Sequence, residues 1–322
     1  MSGLPVELLN AEPGLVSVIL PTYNRAAVLR RAIASVLSQP SMPLEVIVVD
    51  DASTDDTPQV LSELSDPRLC SLRLPTRQGA AAARNAGIRL SRGEWLAFLD
   101  SDDEFLPEAL RALTTAAESS PAKVGVVYSR FERLRGTRRE IIPGRLRTWL
   151  GFLPLKRFRL SGNLTHALQR GNFITLQSAL VRRLCLEQAG MFDERLPRLQ
   201  DWELWLRLAP HTHFAYLPQA GVRLHASPDS LSASAQGLWE AVQIIQEKHA
   251  ARSPELSAHC NFILGTLHLH AGRTAAGRGA LRQAVRGSPL TLVYWLAWLT
   301  AALHPALYRL TESRLGFRYT LE

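Results

Sequence analysis

Trp95-Leu-Ala-Phe-Leu-Asp-Ser-Asp-Asp-Glu-Phe-Leu-Pro107 decides how this chain is read. Trp95 to Leu99 is an apolar run with the length of a buried strand. Four acids within five residues follow at once: Asp100, Asp102, Asp103 and Glu104. Pro107 suits the first turn of the next helix. Carboxylates crowded at the end of a buried strand repel one another, and a divalent cation relieves that repulsion. Hard oxygen ligands select Mg²⁺ or Mn²⁺. The plainer alternative is a solvated acidic turn.

Outward from this stretch, strands and helices alternate. Leu15 to Leu20 is a β-rich run ending at Pro21, and Leu29, Ala32, Ile33, Val36 and Leu37 then form a helical stripe. Leu44 to Val49 is a second buried strand ending in Asp50-Asp51, and Ser53 or Asp55 can cap the helix that runs through Glu63. Leu69 to Leu74 is strand and Gly79 to Leu90 helix. After the acidic strand end, Leu106 to Ser119 is helical and Val124 to Tyr128 is one more strand. Such alternation predicts an α/β fold with a doubly wound, mostly parallel sheet. Ligands of such sheets sit at the carboxyl ends of the strands. Pro21-Thr22-Tyr23-Asn24, Asp50-Asp51 and Asp100-Ser-Asp102 all fall at such ends, so one rim should carry the site.

Composition sets the outer limits. The 322 residues allow two domains or one domain with an extension. A net charge of +8 and a pI near 9.9 favour an anionic partner. Cys70, Cys185 and Cys260 are odd in number and far apart, the pattern of reduced thiols. The first residues have neither a basic n-region nor a long apolar core, so no signal peptide is expected. The localisation expected is cytoplasmic, or peripheral at the inner face of the plasma membrane.

Val16-Ser-Val-Ile-Leu-Pro-Thr-Tyr-Asn-Arg25 and Glu45-Val-Ile-Val-Val-Asp-Asp-Ala-Ser-Thr-Asp-Asp-Thr57 resemble the opening motifs of family 2 glycosyltransferases, which have the GT-A fold. Gly79 with Ala83-Arg-Asn-Ala-Gly87, and Phe98-Leu-Asp-Ser-Asp-Asp103, continue the match in the family's order. Gly190-Met-Phe-Asp-Glu194 and Gln200-Asp-Trp-Glu-Leu-Trp-Leu-Arg207 resemble its acceptor-side motif. Arg223-Leu-His225 followed by Ser230-Leu-Ser232 resembles its closing segment. The resemblance covers Leu15 to Ser232, with Ala52 standing where a glycine is common. It implies a GT-A-like domain with a nucleotide-sugar-binding half (15–130) and an acceptor-binding half (131–235). Residues 1–14 would be an N-terminal extension, and 236–322 a helical C-terminal extension.

The reaction so implied moves a sugar from a nucleoside-diphosphate sugar to an acceptor hydroxyl, with inversion. By resemblance, Asp102 ligates a divalent cation, Mn²⁺ or Mg²⁺, and Asp100 contacts the ribose or the metal, beside Ser101. Asp103 can instead hold the turn. Asp50 resembles the carboxylate that accepts a hydrogen bond from the base, and it or Asp51 can alternatively cap the next helix. Asn24 and Arg25 resemble residues that line base and ribose, Thr22 and Tyr23 contribute backbone contacts and a ring wall, and Pro21 belongs to the same donor-binding segment. Arg84 faces either a diphosphate oxygen, the favoured course, or a sheet-end carboxylate. Asp201 is the candidate general base, because a single in-line displacement needs one carboxylate near the acceptor hydroxyl. A plain N-cap is its alternative role, and Glu203 is a weaker candidate base. His225 resembles a family histidine near the metal or diphosphate, and imidazole is a competent ligand for Mn²⁺.

UDP is the favoured carrier, since Asp50 suits a pyrimidine imide; dTDP satisfies the same bond, and GDP stays open. The acceptor implied is a glycan or lipid-linked glycan of bacterial polysaccharide synthesis, and no nucleic-acid module is present. Alternatives are a nucleotide-sugar-binding scaffold without turnover, or a sugar-1-phosphate nucleotidyltransferase. The latter calls for a Gly-rich N-terminal loop with a catalytic Arg or Lys, which Leu20-Pro-Thr-Tyr-Asn does not offer. Residues 130–159 hold ten Arg or Lys with Trp149, Phe152 and Phe158 between them, readable as an acceptor flap, an anionic-membrane contact or a solvated loop. Leu256 to Ser288 resembles one tetratricopeptide-like hairpin, which should pack on the catalytic domain. His259, Cys260, His268 and His270 match no compact zinc spacing. Leu290 to Leu303 is apolar but shorter than a spanning helix; it can lie at a membrane interface or dock on the protein's own core.

Overall fold

A computed structural model of the chain describes residues 11–136, 138–142, 160–225 and 235–315. Strands β1 (Glu12–Thr22), β2 (Leu44–Asp50), β3 (Leu69–Arg73) and β4 (Gly93–Phe98) alternate with helices α1 (Ala26–Leu37), α2 (Thr57–Ser62) and α3 (Ala80–Leu90). Then come β5 (Glu104–Phe105), α4 (Ala109–Glu118), β6 (Val124–Arg135) and β7 (Arg138–Ile142). The acceptor-side elements are α5 (Thr165–Leu168), β8 (Ala179–Arg182), α6 (Arg183–Ala189), α7 (Gln200–Leu208) and β9 (His213–His225). Helices α8 (Ala235–His249), α9 (Pro254–His270), α10 (Thr274–Gly287), α11 (Leu292–Leu303) and α12 (Pro305–Leu315) complete the described chain.

The strands form one sheet in the order β3-β2-β1-β4-β8-β6-β9-β5, with β7 beside β6. Neighbour pairings put β1, β2, β3, β4, β6 and β9 in one direction and β5, β7 and β8 in the other. The sheet is therefore mostly parallel, as expected. Period-two alternation divides its side chains between two layers. Val16, Val18 and Leu20 pack with Leu29, Ile33 and Val36 of α1 on one face. Ile19, Leu96 and Phe98 pack on the other with Ile88 of α3 and Trp205 of α7.

The helix expected from Leu106 begins at Ala109. Glu104 and Phe105 instead pair with Arg223 and Val222 of β9, and Glu108 takes a left-handed φ of 63° before the first turn. The expected helical hairpin is α9–α10. Its helices touch backbone to backbone at Gly265 and Gly277, where an added Cβ would stand 2.8 Å and 2.7 Å from the Cγ atoms of Leu281 and Leu269. The hairpin reaches the sheet domain through α8: Leu238, Ala241, Ile245, Leu256 and Ile263 pack with Leu196 and Trp202. The basic and aromatic stretch 143–159 and the Ser230-Leu-Ser232 segment lie outside the described residues. No helix among the described residues is long and apolar enough to cross a membrane.

Glu203 is a hub rather than a base. It is fully buried and bonded to Arg207, Lys248 and His249, tying α7 to α8. Burial alone would raise its pKa, but bonds from His249, Arg207 and Lys248 outweigh burial and bring it to about 2. A carboxylate so depressed stabilises the fold fully above its ordinary value of 4.5, and that contribution disappears as pH falls toward 2. Glu203→Gln should therefore cost about 3 kcal/mol near neutrality, and the difference from wild type should vanish in acid, read by denaturant unfolding. At the hairpin crossing, Gly277→Val should cost about 1–3 kcal/mol by overpacking. Gly279, with nothing near its Cβ position, should instead gain up to about 1 kcal/mol as Ala.

Candidate active site

The register of the parallel strands builds the rim. Thr22 lies opposite Asp50, and Ile19 opposite Phe98, so three polar segments emerge on one edge. Backbone bonds close it: the amide of Asp51 donates to the Thr22 carbonyl at 2.9 Å and that of Leu99 to the Ile19 carbonyl at 3.1 Å. Asn24 sits at a φ of 50°. Its side-chain oxygen accepts from the Thr54 amide at 2.8 Å, and its own amide donates to Ser53 Oγ at 2.9 Å. Asn24 thus shapes the loop after β2. Neither residue offered as the cap of α2 holds that position, which belongs to Asp56; Asp55 accepts from the Thr57 amide, and the Ser53 hydroxyl accepts from Asn24. Ala52 has a φ of 60°, the conformation for which glycine is the usual residue.

At the end of β2, Asp50 is buried. One of its oxygens accepts from the Ser53 amide at 2.9 Å. The other has no hydrogen-bond donor among the described residues, with Arg73 Nη1 in ion-pair range at 3.4 Å. The buried hydroxyl of Thr22 is likewise unbonded. Both atoms are buried at the strand ends, where a polar group without a hydrogen-bond partner is costly. Asp51 differs from expectation: its oxygens take the amides of Gln78 (2.7 Å) and Gly79 (2.8 Å), so it holds the entrance to α3. The half-buried Tyr23 ring carries the Arg77 guanidinium 4.2 Å above its centroid.

The acidic turn after β4 sorts its carboxylates. Arg84 takes the course not favoured from sequence: its buried guanidinium pairs with Asp100 at 2.6 Å and also bonds Gln200. Gln177 occupies the second oxygen of Asp100. Ser101 is buried beside it. Asp103 points inward and accepts the His225 amide at 2.9 Å; burial, and the charges of Asp100 and Asp102, push its pKa well up. Asp103 therefore holds the turn. Asp102 stays partly exposed, with Arg25 Nη2 3.9 Å from its carboxylate and Arg31 on its carbonyl at 2.5 Å. Burial, then Asp100, raises its pKa. His225 faces Glu104 at 3.0 Å, and Glu104 is shared with Arg223. It is engaged there rather than standing free for a metal.

Among the described residues no three His, Cys, Asp or Glu side chains are grouped to hold a metal ion. The turn still suits an ion of the Mg²⁺ kind, which binds through one or two carboxylates and substrate phosphates. Asp102 is partly exposed and, unlike Asp100, has no close cation on its carboxylate; burial first and then the Asp100 charge raise its pKa, and its own charge in turn raises that of Asp103.

Across the rim lies Asp201. The cap position of α7 belongs to Leu199, at a φ of 58°, so Asp201 stands inside the first turn and is not the N-cap. Asn172 Nδ2 donates to one carboxylate oxygen at 2.9 Å and the Trp202 amide to the other at 2.7 Å. Burial raises its pKa, overcoming those bonds and the Arg84 charge. The helix start thus does not prevent a basic carboxylate. Arg84 joins the two sides, since it bonds Asp100 of the β4 turn and Gln200, one residue before Asp201. Asn172, Gln177, Arg31, Arg73 and Arg77 are site neighbours that sequence reasoning missed. Each is isolated in the chain; only Gln200, inside the quoted acceptor-side motif, carried a signal.

Comparison with known proteins agrees with this geometry. The family model described as glycosyl transferase family 2 matches residues 17–183. The succinoglycan biosynthesis protein ExoO of Rhizobium meliloti is 34% identical over 67% of this chain, which spans 62% of that relative. Among solved structures, S. aureus TarS 1–349 in complex with UDP-GlcNAc matches with a TM-score of 0.65 at 19% identity, covering 95% of this chain and 93% of that one. The mannosyltransferase PcManGT from Pyrobaculum calidifontis, in complex with GDP-Man and Mn²⁺, matches with a TM-score of 0.55 at 21% identity, covering 94% and 84%. At such identities the structures establish a shared GT-A fold. With the family model spanning the strands that bear Asp50, Asp100 and Asp102, the chain belongs to glycosyl transferase family 2.

Proposed function

We propose that this chain is an inverting glycosyltransferase that moves a sugar from a UDP-linked donor to an acceptor hydroxyl. The observation that carries the reading is the Arg84 fork, which ties the strand-end carboxylate of Asp100 to the helix bearing Asp201. In this reading the unbonded oxygen of Asp50 accepts the imide N–H of uracil, and Tyr23 with Arg77 walls the base. Arg84 acts through Asp100, fixing its carboxylate, rather than on the diphosphate itself. Asp102 would hold a divalent cation together with donor phosphate oxygens. That ion, when bound, supplies charge neutralisation for the departing diphosphate.

Asp201 accepts the proton of the acceptor hydroxyl as that oxygen attacks the anomeric carbon opposite the leaving group. One C–O bond forms, the bond to the diphosphate breaks, and the anomeric configuration inverts. Asn172 fixes one carboxylate oxygen and the Trp202 amide the other, and burial keeps the group basic. ExoO is named for succinoglycan biosynthesis, and the acceptor we assign is a glycan or lipid-linked glycan of bacterial polysaccharide synthesis. Peripheral action at the inner face of the plasma membrane fits that role.

The test is release of nucleoside diphosphate from a panel of UDP-, dTDP- and GDP-sugars with Mn²⁺, Mg²⁺ or EDTA, for wild type and Asp201→Asn. Wild type should be metal-dependent and selective for a UDP donor. Asp201→Asn should lose roughly 10²–10⁴ in turnover with nucleotide affinity unchanged. The active form of Asp201 is the carboxylate and its pKa is raised. The acid limb of wild-type kcat/KM should therefore lie above the ordinary Asp value of about 3.9, with activity falling as pH drops through it. Unchanged turnover in Asp201→Asn would remove Asp201 from the mechanism. Nucleotide binding without release from any donor would point to a missing acceptor or to the scaffold alternative.

A further inference from the structure

Helix α11 is apolar on both sides. Its inner face, Tyr294, Ala297 and Ala301, is buried in a cluster with Phe262 of α9 and Leu281 of α10. The opposite face carries Leu292, Trp295, Leu299 and Leu303, spaced three or four residues apart and all exposed, Leu303 by 74%. Leu307 and Leu310 continue exposed apolar surface onto α12, Leu310 by 55%. The twelve residues of α11 include no charged side chain. Scattered surface leucines need no explanation, but a continuous stripe over two helices marks an interaction surface. Of the two uses left open by the sequence, the inner face takes the docking on the protein's own core, and the outer face stays exposed.

Charge says what covers the stripe. Between Glu255 and Glu312 there is no Asp or Glu, while Arg273, Arg278, Arg282, Arg286 and Arg309 all fall in that interval. Glu312 itself is buried and bonded to His270. The side chains of Arg282, Arg286 and Arg309 are exposed, and Arg278 donates to the Ala301 carbonyl at 2.7 Å, at the end of α11. An exposed apolar strip in a stretch whose exposed charges between Glu255 and Glu312 are all arginine complements the headgroups and upper acyl chains of an anionic leaflet. A second copy of this chain would fit worse, since a two-fold interface sets the same patch against itself and arginine against arginine. Twelve residues of helix extend about 18 Å, against an apolar bilayer thickness of about 30 Å, so α11 lies along the surface and does not cross it.

We propose that the outward face of α11 and α12 seats the protein on a membrane leaflet rich in anionic phospholipid. This deepens the peripheral-membrane part of the proposed function, and it is tested without turnover, so failure of either can be told apart. The experiment is co-sedimentation of the full chain with vesicles of phosphatidylglycerol and phosphatidylethanolamine, against vesicles of phosphatidylcholine alone. Partition should favour the anionic vesicles and weaken with added salt. Leu299→Glu with Leu303→Glu should weaken it roughly tenfold or more while leaving the melting temperature and UDP binding as in wild type. Arg282→Glu with Arg309→Glu leaves the stripe intact, and should lower partition into the anionic vesicles only. No partition into anionic vesicles, or partition that neither double variant changes, would overturn the proposal. A dimer that the leucine variant disperses, without vesicle binding, would overturn it in favour of a second copy.

Discussion

Asp100, Asp102 and Asp103 leave β4 within four residues of one another, and the architecture around them follows from keeping three carboxylates in so small a volume. Two unit charges 4 Å apart near a protein surface interact by about 4 kcal/mol, so the turn needs counter-charge or protonation. Each acid meets that need differently. Asp100 is held between Arg84 and Gln177. Asp103 is buried on the His225 amide with its pKa pushed well up. Asp102 keeps a partly open position with Arg25 at a distance. The result is one partly exposed carboxylate, Asp102, that lacks a close counter-charge and has its pKa raised by burial and by Asp100.

Counter-charge for Asp100 comes from α3, and the same guanidinium reaches Gln200 on α7. Electrostatic relief at the donor side is thereby also the link that locates the acceptor side. Further contacts keep α7 in place. Trp202 and Trp205 donate their indole N–H groups to the carbonyls of Leu168 and Ile174, at 2.7 Å and 2.9 Å. These bonds hold the segment that carries Asn172 against Asp201. Asn85 pins the 192–194 loop to α3 by accepting the Phe192 amide and donating to Glu194. Glu203 anchors the other end of the arrangement to Lys248 and His249. The helical extension thus buttresses the helix that carries the proposed base.

Much of this was legible in the sequence because its strongest signals are local. Central parallel strands are buried on both faces, so Val16 to Leu20, Leu44 to Val49 and Trp95 to Leu99 read as unbroken apolar runs. The polar residues at their ends then had to share a rim. What was not legible depends on pairing across long separations. Arg84 had two carboxylate or phosphate courses, and only the fold brings Gln177 and Gln200 to it. Asn172 has no local pattern that points to Asp201. The two-residue strand Glu104–Phe105 exists because β9 returns beside it, and it delays α4 by three residues. Ser53 and Asp55 both read as caps of α2, but the N-cap is Asp56, and Asn24, bent to a positive φ, takes the serine hydroxyl.

The central claim is that the carboxylates at the ends of β2 and β4 form a nucleotide-diphosphate site. Calorimetric titration of UDP with Mn²⁺ into wild type, Asp50→Ala and Asp102→Ala tests it directly. The account predicts one-site binding to wild type, weakened roughly tenfold or more in Asp50→Ala by loss of the base contact. It also predicts that Asp102→Ala abolishes the difference between Mn²⁺ and EDTA. Equal UDP affinity in all three proteins, with the same metal response, would contradict it.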